Sequence, residues 1–189
     1  IGHYRRSGDF ANLQACLGNL SILNQKSGRK ENQANVQANF ICSPEDKSAL
    51  IATLNGQAYN HFMAGSLDLA MDLHREVERM CRESGDKYEL SVCLNNQARI
   101  CYIRGDGDTA MKLLKDIEDI CREVNNYNGL SISLNNQALL LYESGNLDPA
   151  MAQFKESESI SRQQNNKNSL LISLNNQANI LYDRGSLDE

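Results

Sequence analysis

The sequence has no Trp, only 2 Pro and 6% aromatic residues among its 189 positions. With so few helix breakers, and with Leu, Asn, Gln and Ala abundant, the chain reads as helical. A basic excess is also missing: the formal net charge is −5 and the pI about 5.3. Nucleic-acid binders gather Lys and Arg into a stripe; none is visible, so nucleic acid is not an expected partner. No run approaches the roughly 20 apolar residues that cross a bilayer, and the start shows no signal-peptide pattern. A membrane is therefore not expected either. What is present is 41% hydrophobic residues, enough apolar material for a core.

The six cysteines, Cys16, Cys42, Cys81, Cys93, Cys101 and Cys121, include no C-x-x-C pair. Cys16 and Cys93 share a repeat position with Thr53, Ser133 and Ser173, and Cys81 and Cys121 share one with Ser161. A position that accepts Cys, Ser or Thr selects a small side chain rather than a sulfur ligand. The expectation is six free thiols, no metal, and a reducing, cytoplasmic compartment.

A repeat organises the rest. Leu54-Asn55-Gly56-Gln57-Ala58 returns as Leu94 to Ala98, Leu134 to Ala138 and Leu174 to Ala178, a step of 40 residues. Gly65, Gly105, Gly145 and Gly185 keep the step, as do Asp68, Asp108, Asp148 and Asp188. A worn earlier copy aligns Leu13, Cys16, Leu17, Asn19 and Gly28 on Leu90, Cys93, Leu94, Asn96 and Gly105, and is three residues shorter. The units run approximately 10–46, 47–86, 87–126 and 127–166. Partial units at 1–9 and 167–189 read as the ends of a fragment cut from a longer single array.

Each unit predicts two helices. Leu90, Leu94, Gln97, Ala98 and Cys101 follow the spacing of one helical face. Gly105 then sits where a left-handed residue ends a helix. Ala110, Leu113, Leu114, Ile117, Ile120, Cys121 and Val124 form the apolar face of the second helix. Asp148-Pro149 signals a helix start, with the acid as N-cap. Helices are expected near 12–27, 47–64, 68–84, 87–104, 108–124, 127–144, 148–164 and 167–184. Glu78/Arg82, Glu118/Arg122 and Glu158/Arg162 are four apart and read as exposed ion pairs.

With these columns in view, the sequence resembles the tetratricopeptide repeat family, and within it the long-repeat kinesin light chain type. Ala58, Ala98, Ala138 and Ala178 match the family's small residue of the first helix. The four turn glycines match its turn, and Ala70, Ala110 and Ala150 match its second helix. Gln97, Gln137 and Gln177 depart from the pattern by replacing a Leu. The resemblance implies an all-α fold, an α-α superhelix built as a right-handed solenoid of antiparallel helix pairs. It also implies a concave groove lined by the first helices that takes a protein or an extended peptide.

On the first helix, positions 92, 95, 99 and 102 form a stripe apart from the core stripe. The expected groove is Asn55, Tyr59 and Phe62; Asn95, Arg99 and Tyr102; Asn135, Leu139 and Tyr142; and Asn175, Asn179 and Tyr182. Asn offers a donor and an acceptor to a peptide backbone. The competing reading is structural: an inter-repeat ladder of Asn, above all for Asn96, Asn136 and Asn176, and tyrosines that pack. The Gln column reads as structural, because it lies on the core-facing side and needs partners there. Chaperone-binding relatives grip a C-terminal carboxylate with Lys and Arg. Here Asn stands at the matching Lys columns and Arg occurs only at Arg99, so that clamp is not expected.

His3, His61 and His74 are scattered, and no phosphate-binding Gly loop occurs, so neither catalysis nor a cofactor is expected. The leading function is a protein- or peptide-binding scaffold, with end-to-end self-association of the cut array as a further expectation. The alternative is a regulatory or sensor arm of a larger signalling ATPase or protease. Thiol titration in denaturant without reductant is expected to count all six cysteines; a count short by a disulfide would contradict the reducing compartment.

Overall fold

A computed structural model describes residues 44–185. Over that span it contains seven helices and no strand: α1 (Pro44–Met63), α2 (Leu67–Ser84), α3 (Lys87–Ile103), α4 (Gly107–Glu123), α5 (Tyr127–Glu143), α6 (Leu147–Gln163) and α7 (Lys167–Asp183). The expected helix at 12–27, Cys16 and Cys42 lie outside the described residues. By spatial contact the chain divides into Ile1–Leu54 and Asn55–Glu189; the packing described below belongs to the second unit.

The turns explain why helix pairs recur. Gly105 and Gly145 take φ of 79° and 80°, the left-handed conformation that closes a first helix at little steric cost. Between units the same conformation falls to Gly85, Asn125 and Asn165, and Asn tolerates it best among residues with a Cβ. The next residue then caps the following helix. Asp86 accepts from Glu89 N at 3.0 Å, Asn126 from Gly129 N at 3.0 Å and Asn166 from Ser169 N at 3.1 Å. One expected start is displaced. α6 begins at Leu147 with Asn146 as N-cap, so Asp148 and Pro149 lie inside the first turn. Proline is tolerated there because first-turn N–H groups have no intrahelical acceptor. The Asp148 carboxylate is held instead by Arg184, at 2.5 Å.

The core follows the repeat. Ala58, Ala98 and Ala138 of the first helices, and Ala70, Ala110 and Ala150 of the second, are buried. Their lack of bulk lets the two helices of a pair approach closely. Larger side chains fill the remaining space: Leu94, Ile100, Leu134, Phe154 and Ile180 are fully enclosed. The interior becomes more polar along the chain. Val77, Ile117 and Ser157 share one position, and Cys93, Ser133 and Ser173 another. The serines remain tolerable because each hydroxyl has an acceptor: Ser133 donates to Leu114 O at 2.7 Å, Ser157 to Ser131 O at 2.8 Å, and Ser173 to Ser169 O at 2.7 Å. The four described cysteines are free and buried. Burial pushes the Cys81 thiol up to about 11 and raises Cys93, Cys101 and Cys121 as well.

Adjacent units are joined by one repeated polar contact. Gln97 Nε2 donates to Glu78 Oε2 at 2.7 Å, Gln137 to Glu118 at 2.9 Å and Gln177 to Glu158 at 2.7 Å. The same glutamates accept from Arg82, Arg122 and Arg162, four residues on. These ion pairs are therefore not free surface pairs. The Glu side chains are only 20–22% exposed, because each ties a second helix to the first helix of the next unit. Arg122 also reaches across to Glu156 at 2.7 Å, linking α4 to α6.

His74 interrupts the apolar column that continues as Leu114 and Phe154. It is 3% exposed, and its Nδ1 has no partner among the described residues. Desolvation, with Arg99 nearby, lowers its pKa to about 4. Since the unfolded chain protonates His74 near 6.5, the folded form binds fewer protons between pH 6.5 and 4, and stability falls as pH drops through that window. His74→Leu should remove that part of the acid sensitivity, worth about 2–3 kcal/mol at pH 4. Urea midpoints of wild type and variant at pH 7.5 and 4.5 check it: the gap should widen at the lower pH. The unit joint yields a second expectation. Gln137→Glu sets a carboxylate against Glu118 and should cost about 2 kcal/mol or more at pH 7. Acid should narrow the difference from wild type, because the folded state then takes up the extra proton.

Candidate functional site

Successive first helices touch: α3 packs on α5, and α5 on α7. Side chains at one repeat position therefore line up from unit to unit across a continuous helical face. Polar groups on this face bond along that direction. Tyr102 OH donates to Glu143 Oε1 at 2.5 Å, and Tyr142 OH donates likewise to Asp183 Oδ2, each reaching the next first helix. These carboxylates raise both phenol pKa values by favouring the protonated, donating form. Tyr182 is exposed at 64%.

The Asn columns make a related set of bridges. Asn136 Nδ2 donates to Asn95 Oδ1 at 3.0 Å. Asn135 is buried, and its amide donates to Ser169 Oγ at 3.1 Å. Asn55 Nδ2 lies 3.5 Å from Glu89 Oε2. Asn55 and Asn95 are half-buried and Asn175 is exposed. The first Asn of each pair thus differs along the array: enclosed at 135, partly open at 55 and 95, and open at 175. The other expected residues fall into two groups. Tyr59, Arg99 and Asn179 are exposed, whereas Phe62 and Leu139 are half-buried. Phe62 packs against the Ala70, Met71 and Ile100 cluster, and the Arg99 guanidinium lies 4.0 Å above its ring.

Another column of this face is apolar and open. Val92, Ile132 and Ile172 are 38%, 44% and 52% exposed, aligned across α3, α5 and α7. Its sequence signal is a β-branched apolar residue on the outward stripe in three consecutive units, chemically less distinctive than the Asn and Tyr columns beside it. The outer surface of the second helices is charged by contrast, with Lys112, Lys115, Asp116 and Asp119 all exposed on α4. Among the described residues no group of His, Cys, Asp or Glu could hold a metal ion, and no helix is long and apolar enough to cross a membrane.

Comparison with known proteins agrees with the helix-pair fold. Residues 89–163 match the tetratricopeptide repeat family. The fold is similar to the crystal structure of BtubC (BKLC) from P. vanneervenii, with a TM-score of 0.69 at 17% identity, covering 97% of this chain and 80% of that one. It is also similar to a kinesin light chain from Podosopora anserina with nearly identical TPR-like repeats: TM-score 0.60, 15% identity, 72% of this chain and 67% of that one. No curated protein matches the sequence. Residues 89–163 are tetratricopeptide repeats, and the helix pairs around them continue the same fold in the same 40-residue phase.

Proposed function

We propose that the chain is a binding scaffold that takes an extended segment of a partner protein along the face formed by α3, α5 and α7. Tetratricopeptide repeats generally mediate protein–protein interaction, and this reading places the contact on the first helices. The observation that carries it is the aligned, exposed apolar column of Val92, Ile132 and Ile172 on touching helices. Aligned apolar side chains open to water on a folded surface mark an interaction site more often than scattered ones do. The polar residues beside that column supply orientation. Asn95 and Asn175 keep part of their amides open, and each net hydrogen bond to a partner backbone contributes about 0.5–1.5 kcal/mol.

The test is affinity capture from host lysate with three proteins: wild type, Val92→Asp with Ile132→Asp, and Lys115→Ala with Lys155→Ala. Circular dichroism first establishes that all three keep their helicity. The Asp pair should lower recovery of wild-type partners by about tenfold or more, since burying an unpaired carboxylate opposes binding. The Lys pair on the second helices should change little. Loss with the Lys pair and retention with the Asp pair would place binding on the opposite surface and end this reading.

A further inference from the structure

A periodic face poses a problem of register. The Val92 column and the Asn95 column carry nearly the same residue in each unit. A ligand gripped only by them binds almost as well when shifted by one repeat. The column of Tyr59, Arg99, Leu139 and Asn179 is different: aromatic, cationic, aliphatic and amide in turn. The Asn column differs from unit to unit only in exposure, whereas this column differs in chemistry, so it distinguishes one unit from the next most sharply.

Arg99 stands out within it. Among the described residues every other arginine holds a carboxylate within 4.0 Å. Arg99 has none, and is held over the Phe62 ring at 4.0 Å. A cation–π contact of this kind fixes the guanidinium without neutralising it. Val92, Asn95 and Tyr102, the other members of its stripe, carry no charge near neutrality. His74, buried nearby, is neutral there too. Arg99 is thus an oriented cation with no carboxylate partner among the described residues, while the face's carboxylates Glu143 and Asp183 are taken up by Tyr102 and Tyr142.

We propose that Arg99 sets the register of the partner by pairing with a single Asp or Glu side chain in the middle of its extended segment. This rests on the binding-face reading above. Packed helices lie roughly 8–10 Å apart, and an extended polyproline-type chain advances about 9 Å in three residues. An apolar side chain three residues to one side of the acid then meets Tyr59, and one three residues to the other side meets Leu139. Because apolar neighbours flank Arg99 on both sides, the segment passes through rather than ending there. The anion is a side chain and not a chain terminus.

The experiment selects a phage-displayed random twelve-residue library on the full chain. The consensus is then synthesised with an amidated C-terminus, and its affinity measured for wild type, Arg99→Gln and Arg99→Glu. The expected consensus has an acid with apolar residues three positions away on each side. Replacing its acid by the amide should weaken wild-type binding by about tenfold, the scale of one charge-assisted bond. Arg99→Gln should bind acid and amide versions equally, and Arg99→Glu should prefer a Lys version. Peptides that lose binding with Ile132→Asp yet show no acid preference, or ignore Arg99→Gln, overturn the register inference and leave the binding face standing. A consensus that needs a free C-terminal carboxylate overturns the side-chain assignment. Selected peptides indifferent to Ile132→Asp overturn the face itself, and the inference with it.

Discussion

The Gln–Glu–Arg contact between units is the constraint on which the array depends. Apolar packing between helix surfaces is nondirectional and tolerates sliding. A buried amide must find its partner at a fixed distance and angle. Gln97, Gln137 and Gln177 each meet a carboxylate already oriented by an arginine four residues further along its own helix. The carboxylate is thus oriented from within its own helix, and the contact recurs three times at 2.7–2.9 Å. Regular stacking of α2 on α3, α4 on α5 and α6 on α7 follows from it.

That polar joint coexists with an interior that is not uniform. Towards the N-terminal side of the described span, Val77, Ile117, Cys81 and Cys121 occupy the second-helix core. Towards the C-terminal side Ser157 and Ser161 take their places, and Ser131, Ser133, Ser169 and Ser173 surround them. Burying a hydroxyl returns less free energy than burying a branched alkyl group, and the difference is contained only where the hydroxyl is bonded. Most of these serines donate to a main-chain carbonyl of the same or a facing helix. The tightness of the helix crossings favours such small groups, which is also why cysteine and serine interchange.

A surface with several copies of one side-chain column follows directly from stacking. Touching first helices place Val92, Ile132 and Ile172 in line, and no single unit could offer that line alone. Their shared exposure is a property of the array, while the differences at Tyr59, Arg99, Leu139 and Asn179 belong to each unit. In the proposed binding reading, sameness would supply general affinity along the face and difference would supply selectivity. Arg99 is the member proposed for that second role, because no carboxylate pairs with it among the described residues and its ring partner Phe62 fixes it.

The sequence by itself determined the helices and their pairing. Forty-residue phasing, glycines at the turns, and core faces such as Leu94–Ala98–Cys101 are local or periodic signals, and local backbone preference with helical periodicity sufficed to place the described helices within about three residues. The N-cap expected at Asp148 lies two residues earlier, at Asn146, because an acid near a helix start serves as cap or as ion-pair partner, and only Arg184, 36 residues away, decides which. The same limit applies to the candidate site. Residue types named the Asn and Tyr columns and separated Arg99 from its neighbours. Spacing could not tell that Asn135 is enclosed by Ser169, that the glutamates of the apparent surface pairs bind glutamines of the next unit, or that Arg99 rests on Phe62. Those outcomes depend on which side chains from distant units share a volume, and that is fixed by the rotation between stacked helix pairs, which the tertiary structure alone supplies.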